Sequence, residues 1–388
     1  MENFRFHTPT DVYFGRGAIK HLPDGVKRFG TRVLLVYGGG SIKKSGLYDT
    51  VKELLRDCEI HELSGVEPNP RVSSVRAGAK ICKENKIEVV LAVGGGSVAD
   101  CAKHICTAAF YDGDAWDMVL DWSLMKKALP LVVVLTLSAT GSEFDYGAVI
   151  SNADTNEKLS ICDDMLTPAV SILDPEYTFT VDAWQSAAGV ADMMSHIMEV
   201  YFVLGSTQLM DGICETILKC AIKNGPKVLK NPRDYDARAE LMWCSSLACN
   251  GICNLGNRAS AWAVHGIEHE VSAYYDITHG VGLAILTPHW MRYSLNDQTV
   301  GRFAQFARNV FDVPESSDKY AMANEGIDRL AAFFKSLNIP MSLGELKIGA
   351  EHIDDMARHV IEKSGFDLSI AIRPLNVDDV KEILKASL

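Results

Sequence analysis

An α/β domain followed by an all-helical domain is the fold class predicted by this sequence of 388 residues. Three observations predict it. Short apolar runs at 33–37, 89–93 and 131–137 each end in a loop of small polar residues. Helix-period segments lie between those runs, and strands alternating with helices build a parallel sheet covered on both faces. After Pro175 the strand-like runs cease and helical periodicity dominates.

Taken in order, the run at 33–37 leads into Gly38-Gly39-Gly40-Ser41, with helices expected at 47–56 and Val72–Asn85. The run at 89–93 leads into Gly94-Gly95-Gly96-Ser97 and a helix at 98–109. The run at 131–137 leads into Ser138-Ala139-Thr140-Gly141-Ser142-Glu143. Residues 148–161 read as an edge hairpin turning at 152–157, and Val170–Leu173 as the strand that closes the sheet. Helices are then expected at 184–203, 209–224, 235–254, 259–273, 300–310, 317–337 and 353–364, punctuated by Gly225-Pro226 and Pro340. The domains are therefore expected at 1–176 and 177–388. The two GGGS turns differ in their flanks, so they are a local echo and not a repeat architecture.

Composition narrows the function. The hydrophobic fraction of 47% and charged fraction of 23% suit a soluble globular protein. The net charge is −12, and the Lys43-Lys44 and Lys126-Lys127 pairs are isolated. A nucleic-acid partner is not expected, because phosphate neutralisation needs clustered positive charge. The first residues lack a basic stretch followed by an apolar one, and no run of about 18 apolar residues occurs. A cytoplasmic protein with no membrane partner is expected. The ten cysteines form no CxxC pair and read as buried small hydrophobes.

The glycine turns point to a nucleotide. Glycine lets the backbone approach an anion closely, and free N–H groups at a helix start attract negative charge. Ser97 adds a hydroxyl donor, and Asp100 lies one turn into the following helix, where it complements the dipole or bonds a cofactor hydroxyl. Neither turn is GxGxxG. Two such turns plus the SATGSE loop, all at strand ends of one sheet, mark a binding edge. An acidic residue at the matching position holds a ribose 2′-hydroxyl and repels a 2′-phosphate. Here Gly38, Gly39, Gly40 and Ser41 carry no charge, and Lys43 and Lys44 follow. NADP(H) is expected over NAD(H).

The second half points to a metal. Asp192 and His196 stand four apart, on one helical face. His265 and His269 are likewise four apart, and His279 closes that segment. A carboxylate with imidazoles suits Fe²⁺ or Zn²⁺. Spacing alone leaves open which two of His265, His269 and His279 complete the set, and Glu268 and Glu270 are further ligands or supports. His289 reads as structural.

The segments FHTPTDVYFGRGA, VYGGGSIKKSG, GVEPNP, LAVGGGSVAD, LTLSATGSE, LDPEYT, GVADMMSHIMEVY and WAVHGIEHEVSAYYDITHG make the chain resemble the iron-containing alcohol dehydrogenase family. The likeness is strongest to its butanol dehydrogenase and NADPH-dependent aldehyde reductase branch. The resemblance implies a Rossmann-like sheet domain, a helical domain and an active site in the cleft between them. It implies Asp192, His196, His265 and His279 as metal ligands, and His269 as a proton relay near the nicotinamide. It implies Gly94, Gly95, Gly96 and Ser97 as the pyrophosphate site, and cofactor contacts from Asn69, Thr136, Ser138 and Lys158. Gly38, Gly39 and Ser41 match the adenosine-phosphate turn of NADP-preferring members. Tyr275 stands where a relative carries histidine, which alters the substrate pocket.

The expected reaction interconverts a primary alcohol of butanol type and its aldehyde with NADP(H), acting as an aldehyde reductase. The metal supplies a Lewis acid and the nicotinamide a hydride, with His269 or water giving the proton. Fe²⁺ is expected before Zn²⁺, and the resemblance implies a homodimer. An NAD-dependent glycerol or polyol dehydrogenase is the alternative within the same superfamily.

Overall fold

Six strands pair in parallel in the computed structural model, which describes residues 1–388. They are β1 (Asp11–Phe14), β2 (Arg32–Tyr37), β3 (Glu59–Leu63), β4 (Val89–Gly94), β5 (Leu131–Leu135) and β8 (Val170–Leu173), while β6 (Gly147–Asn152) and β7 (Glu157–Cys162) form a separate antiparallel pair. The sheet order is β1-β8-β5-β4-β2-β3. Between the strands lie α1 (Leu22–Lys27), α2 (Ser41–Lys44), α3 (Leu47–Leu54), α4 (Val72–Asn85), α5 (Gly96–Ala108) and α6 (Ala115–Leu120).

The β-branched runs explain the sheet. Leu34, Val36, Val90, Ala92 and Val133 pack on one face, and Val33, Leu35, Val89, Leu91, Val132 and Val134 on the other. Both faces are buried, as a parallel sheet requires. From β2 the chain moves outward to β3, then returns to the opposite side of β2 as β4. The strand order thus reverses between β2 and β4. Both GGGS turns leave the carboxyl ends of these two strands, at the position where open α/β sheets bind ligands.

The helices after residue 182 are α7 (Ala183–Tyr201), α8 (Gln208–Lys230), α9 (Tyr235–Cys249), α10 (Ala263–Tyr275), α11 (His279–Ser294), α12 (Val300–Phe311), α13 (Lys319–Ser336), α14 (Ile353–Glu362) and α15 (Val377–Ala386). No strand follows β8. Contacts divide the chain into a sheet unit of 7–181 with 232–246, and a helical unit of 1–6, 182–231 and 247–388. No helix is long and apolar enough to cross a membrane. All ten cysteines are free thiols, six of them buried.

Several expectations need correction. The hairpin at 148–161 is not an edge of the main sheet but a sheet of its own. Val170–Leu173 does not close the sheet, because β1 pairs outside it. Gly225-Pro226 does not end a helix: α8 runs on to Lys230. Gly225 serves packing there, since an added Cβ would lie 3.1 Å from Val190 of α7. β1, β3, α11 and α15 were not anticipated.

Candidate metal centre and nucleotide turns

One face of α7 carries the first part of the site. Asp192, His196 and Glu199 follow at spacings of four and three, so their side chains align along the helix. All three are buried. The chain enters α7 through Asp182, whose carboxylate accepts from Gln185 N at 2.7 Å. α10 presents His265, Glu268 and His269, and α11 starts with His279. Gly280 and Gly282 let α11 sit close to its neighbours. A Cβ on Gly280 would overlap the Ala188 carbonyl, and one on Gly282 would lie 2.8 Å from the Glu268 side chain.

Ligand atoms of Asp192, His265 and His279 converge, all within 4.8 Å of one another. His196 adjoins them: its Nε2 lies 3.4 Å from Asp192 Oδ1, and its ring stacks on His265 at 4.8 Å. His279 Nε2 lies 3.8 Å from the same oxygen. Two carboxylates fix the outward nitrogens. Glu199 Oε1 accepts from the backbone N–H of His265 at 2.9 Å and faces its Nδ1 at 3.2 Å. Glu268 accepts from His279 Nδ1 and from Ser272 Oγ. A carboxylate can only accept, so each Nδ1 carries the proton and each Nε2 keeps its lone pair. His265 Nε2 and Asp192 Oδ1 are buried without a hydrogen-bond partner.

This donor set fits a divalent cation. Buried polar atoms are normally satisfied, and here the orphaned ones point to one spot. Asp192, Glu199 and Glu268 bring three carboxylates into the buried cluster, which a cation balances. Burial pushes the His196 imidazole down to about 3, so it is neutral and competent as a ligand. Carboxylates on the non-ligating nitrogens are the usual support of metal-bound histidines. His269 falls in a second group, with Glu268 and His279, and its ring lies 5.5 Å from His279.

The nucleotide candidates gather at the sheet's carboxyl edge. Thr136 N donates to Gly94 O at 2.9 Å, joining the ends of β5 and β4. Gly95 packs against Leu137, and a Cβ on Gly96 would strike Thr140. Ser97 heads α5 beside them. Ser138 Oγ is buried without a partner, as a hydroxyl awaiting a ligand would be. Asn69 adopts a left-handed φ of 51° and is buried. Its neighbour Pro70 accepts from Ser151 N at 2.9 Å, and Ser151 pairs across the hairpin with the buried Lys158. Gly38, Gly39 and Ser41 form the other turn, and a Cβ on Gly39 would meet nothing within 4 Å. Open space at Gly39 and the unpartnered Ser138 hydroxyl suit a bound nucleotide at this edge.

Asp100 is engaged within the protein. One oxygen accepts from Ser142 Oγ at 2.6 Å and the other from Val149 N at 2.9 Å. Burial pushes its carboxyl up to about 6 against the pull of Lys103 and these bonds. Lys103, one turn further along α5, donates to Asp145 Oδ1 and Gly147 O, both at 2.6 Å. Together they tie the SATGSE loop to α5.

Three features escaped the sequence reading. Glu199 was signalled by its register, seven residues after Asp192 in an apolar helix. Glu62 closes β3 beside the first turn, where it accepts from Tyr37 at 2.9 Å, Tyr48 at 2.8 Å and Lys52 at 3.2 Å. Trp262 packs on the His265 ring at 5.1 Å, and nothing in its spacing marked it.

Glycine turns at a sheet switch point and a carboxylate–imidazole cluster fit an enzyme that uses a nucleotide and a metal. Comparison narrows the class. The model of the iron-containing alcohol dehydrogenase family matches residues 9–175, and that of the family's C-terminal part matches 186–388. NADH-dependent butanol dehydrogenase A of Clostridium acetobutylicum is 50% identical, with 100% of both chains covered. The NADPH-dependent aldehyde reductase YqhD of Escherichia coli is 37% identical over 93% of this chain and 94% of its own. The crystal structure of NADH-dependent butanol dehydrogenase A from Thermotoga maritima superposes with a TM-score of 0.95 at 41% identity, covering 100% of this chain and 99% of that one. The chain belongs to the iron-containing alcohol dehydrogenase family, and with it to the enzymes that oxidise alcohols and reduce aldehydes.

Proposed function

We propose that this enzyme interconverts primary alcohols of butanol size and their aldehydes, running chiefly as an aldehyde reductase with NADP(H) and one divalent cation, Fe²⁺ before Zn²⁺. The convergence of Asp192, His265 and His279 ligand atoms within 4.8 Å, the first two residues buried and His279 partly exposed, carries the reading. Bound there, the cation supplies a Lewis acid for the carbonyl oxygen, while the reduced nicotinamide supplies the hydride.

The chain's own residues do the rest. Asp192, His196, His265 and His279 hold the cation, with Glu199 and Glu268 orienting two of the imidazoles. Gly94, Gly95, Gly96 and Ser97 receive the pyrophosphate, and Asn69, Thr136, Ser138 and Lys158 orient the cofactor beyond it. Asp100 acts by fixing the loop that carries Ser138. His269, whose ring lies 5.5 Å from that of His279, or water gives the alcohol oxygen its proton.

The cofactor preference rests on the first turn. Gly39 presents no acid, and Lys43 Nζ lies over the Tyr37 and Tyr48 rings, 5.1 and 4.8 Å from their centroids. Burial favours the neutral form of Glu62, but hydrogen bonds from Tyr48, Tyr37 and Lys52 outweigh it and hold its pKa below the usual range. Its charge is thus already shared among three donors. The named relatives divide, two butanol dehydrogenases with NADH and one aldehyde reductase with NADPH. Ten free thiols fit the reducing cytoplasm, and a homodimer is the assembly we assign.

An absorbance assay with butanal tests the whole reading. Metal-loaded protein should oxidise NADPH faster than NADH, and lose turnover on chelation. Asp192→Ala should abolish both metal retention and turnover. Activity undiminished by chelation would remove the metal from the mechanism, and faster turnover of NADH would reverse the cofactor preference.

A further inference from the structure

We infer that Trp262 is the specificity-determining wall of the substrate site, selecting unbranched over α-branched aldehydes; this rests on the metal-site reading above. Trp262 stands immediately before α10 with φ 52° and ψ 44°, a left-handed conformation that bulky residues rarely adopt. Such a conformation persists only where the surroundings impose it, and it concentrates at functional sites. Here the imposing contacts are two candidate ligands. The indole lies 5.1 Å from the His265 ring, edge to face, and 5.8 Å from the His196 ring.

Exposure separates this ring from an ordinary packing residue. Asp192, His196 and His265 are buried, as are Ala261 and Ala263 on either side, yet Trp262 itself stays partly open. The indole thus keeps part of its surface free while it lies beside two candidate ligand rings, and the substrate chain is placed against it. A flat, rigid ring accepts a methylene chain along its face but resists a branch next to the carbonyl carbon. Size selection in apolar pockets works in this way, by excluding what does not fit.

The test compares the parent with Trp262→Ala and Trp262→Phe, each with its metal content measured. Two readouts are taken: kcat/KM for 2-methylpropanal relative to butanal, and calorimetric affinity of metal-loaded protein for 2-methylpropanamide relative to butanamide. Trp262→Ala should raise both branched-to-linear ratios at least tenfold, with Trp262→Phe between it and the parent. Ratios within twofold of the parent in metal-replete Trp262→Ala would overturn the inference. Loss of metal from both variants would also overturn it, since the ring would then serve only to hold the imidazoles. A parent that binds the amides but reduces neither aldehyde would instead count against the proposed function, while the amide ratio still decides the role of Trp262.

Discussion

Glu199 and His265 are joined twice, through the backbone N–H of His265 at 2.9 Å and through its Nδ1 at 3.2 Å, on one carboxylate oxygen. The double contact fixes both where α10 begins relative to α7 and which imidazole nitrogen keeps its lone pair. Glu199→Ala should therefore lower divalent-metal affinity by roughly 10–100-fold, the usual loss when such a support is removed. Glu199→Gln keeps an acceptor and should lose less. Competition with a chelating dye measures both. Unchanged affinity in Glu199→Ala would show that His265 is oriented by packing alone.

The first glycine turn makes a separable prediction. Gly39 has open space around its Cβ direction, so Gly39→Asp should fold normally. The added carboxylate repels a 2′-phosphate and accepts from a 2′-hydroxyl. KM for NADPH should rise at least tenfold while KM for NADH stays level or falls. Steady-state kinetics with the two cofactors reads the ratio, and an unchanged ratio would mean that this turn does not meet the 2′ position.

Glu143, in the SATGSE loop, gives a pH signature. It is buried, accepts from Ser246 Oγ, and burial pushes its carboxyl up to about 7. A carboxyl raised in the folded state holds its proton after the unfolded chain has lost it. Its contribution is thus neutral below about pH 4.5, and stability falls as pH rises from there to about 7. Glu143→Gln should remove that slope, leaving the variant more stable than the parent at pH 8 by up to roughly 3 kcal/mol and equal to it near pH 4. Denaturant midpoints across this range check the sign.

Arg302 closes α7, the helix of Asp192 and His196, from its far end. It donates to the Tyr201 carbonyl at 2.6 and 2.9 Å, pairs with both oxygens of Asp211 at 2.6 Å, and lies 3.7 Å over the Tyr201 ring. Arg302→Ala takes the donor from the Tyr201 carbonyl and leaves Asp211 with Ser206 and Gln305 but no cation. It should cost about 3–5 kcal/mol, as the breaking of a buried ion pair does. Denaturant unfolding monitored by far-ultraviolet circular dichroism reads the loss.

Much of the fold was legible because periodicity reports burial. α4 lies at the residues expected, and β2, β4 and β5 overlie the expected apolar runs, with β2 starting one residue earlier and β4 ending one residue later, because their side chains face the two cores. β3 was missed because its sequence Glu-Ile-His-Glu-Leu is half exposed at a sheet edge, where alternation is weak. α11 was missed because Gly280, Gly282 and Pro288 are poor helix formers that interrupt its pattern, whereas the two glycines make room for α7 and Glu268. The discontinuous units were not legible, since nothing in residues 1–6 or 232–246 announces which core they join. In the site, spacing brought Asp192 and His196 together but left the choice among His265, His269 and His279 open. Tertiary packing resolves the geometry by setting the first turn of α11 beside α7. The contacts of Glu199 and Trp262 with His265 depend on that same packing: the register of Glu199 on α7 was its one local signal, and Trp262 had none.

The central claim is that one divalent cation sits among Asp192, His196, His265 and His279. Anomalous diffraction at the iron edge, from crystals grown anaerobically with Fe²⁺, tests it most directly. The account predicts a single strong peak within coordination distance of Asp192 and the three imidazoles, with Glu199 and Glu268 on their outer nitrogens. Iron-replete crystals with no peak there, or with the four side chains turned away from one another, would contradict it.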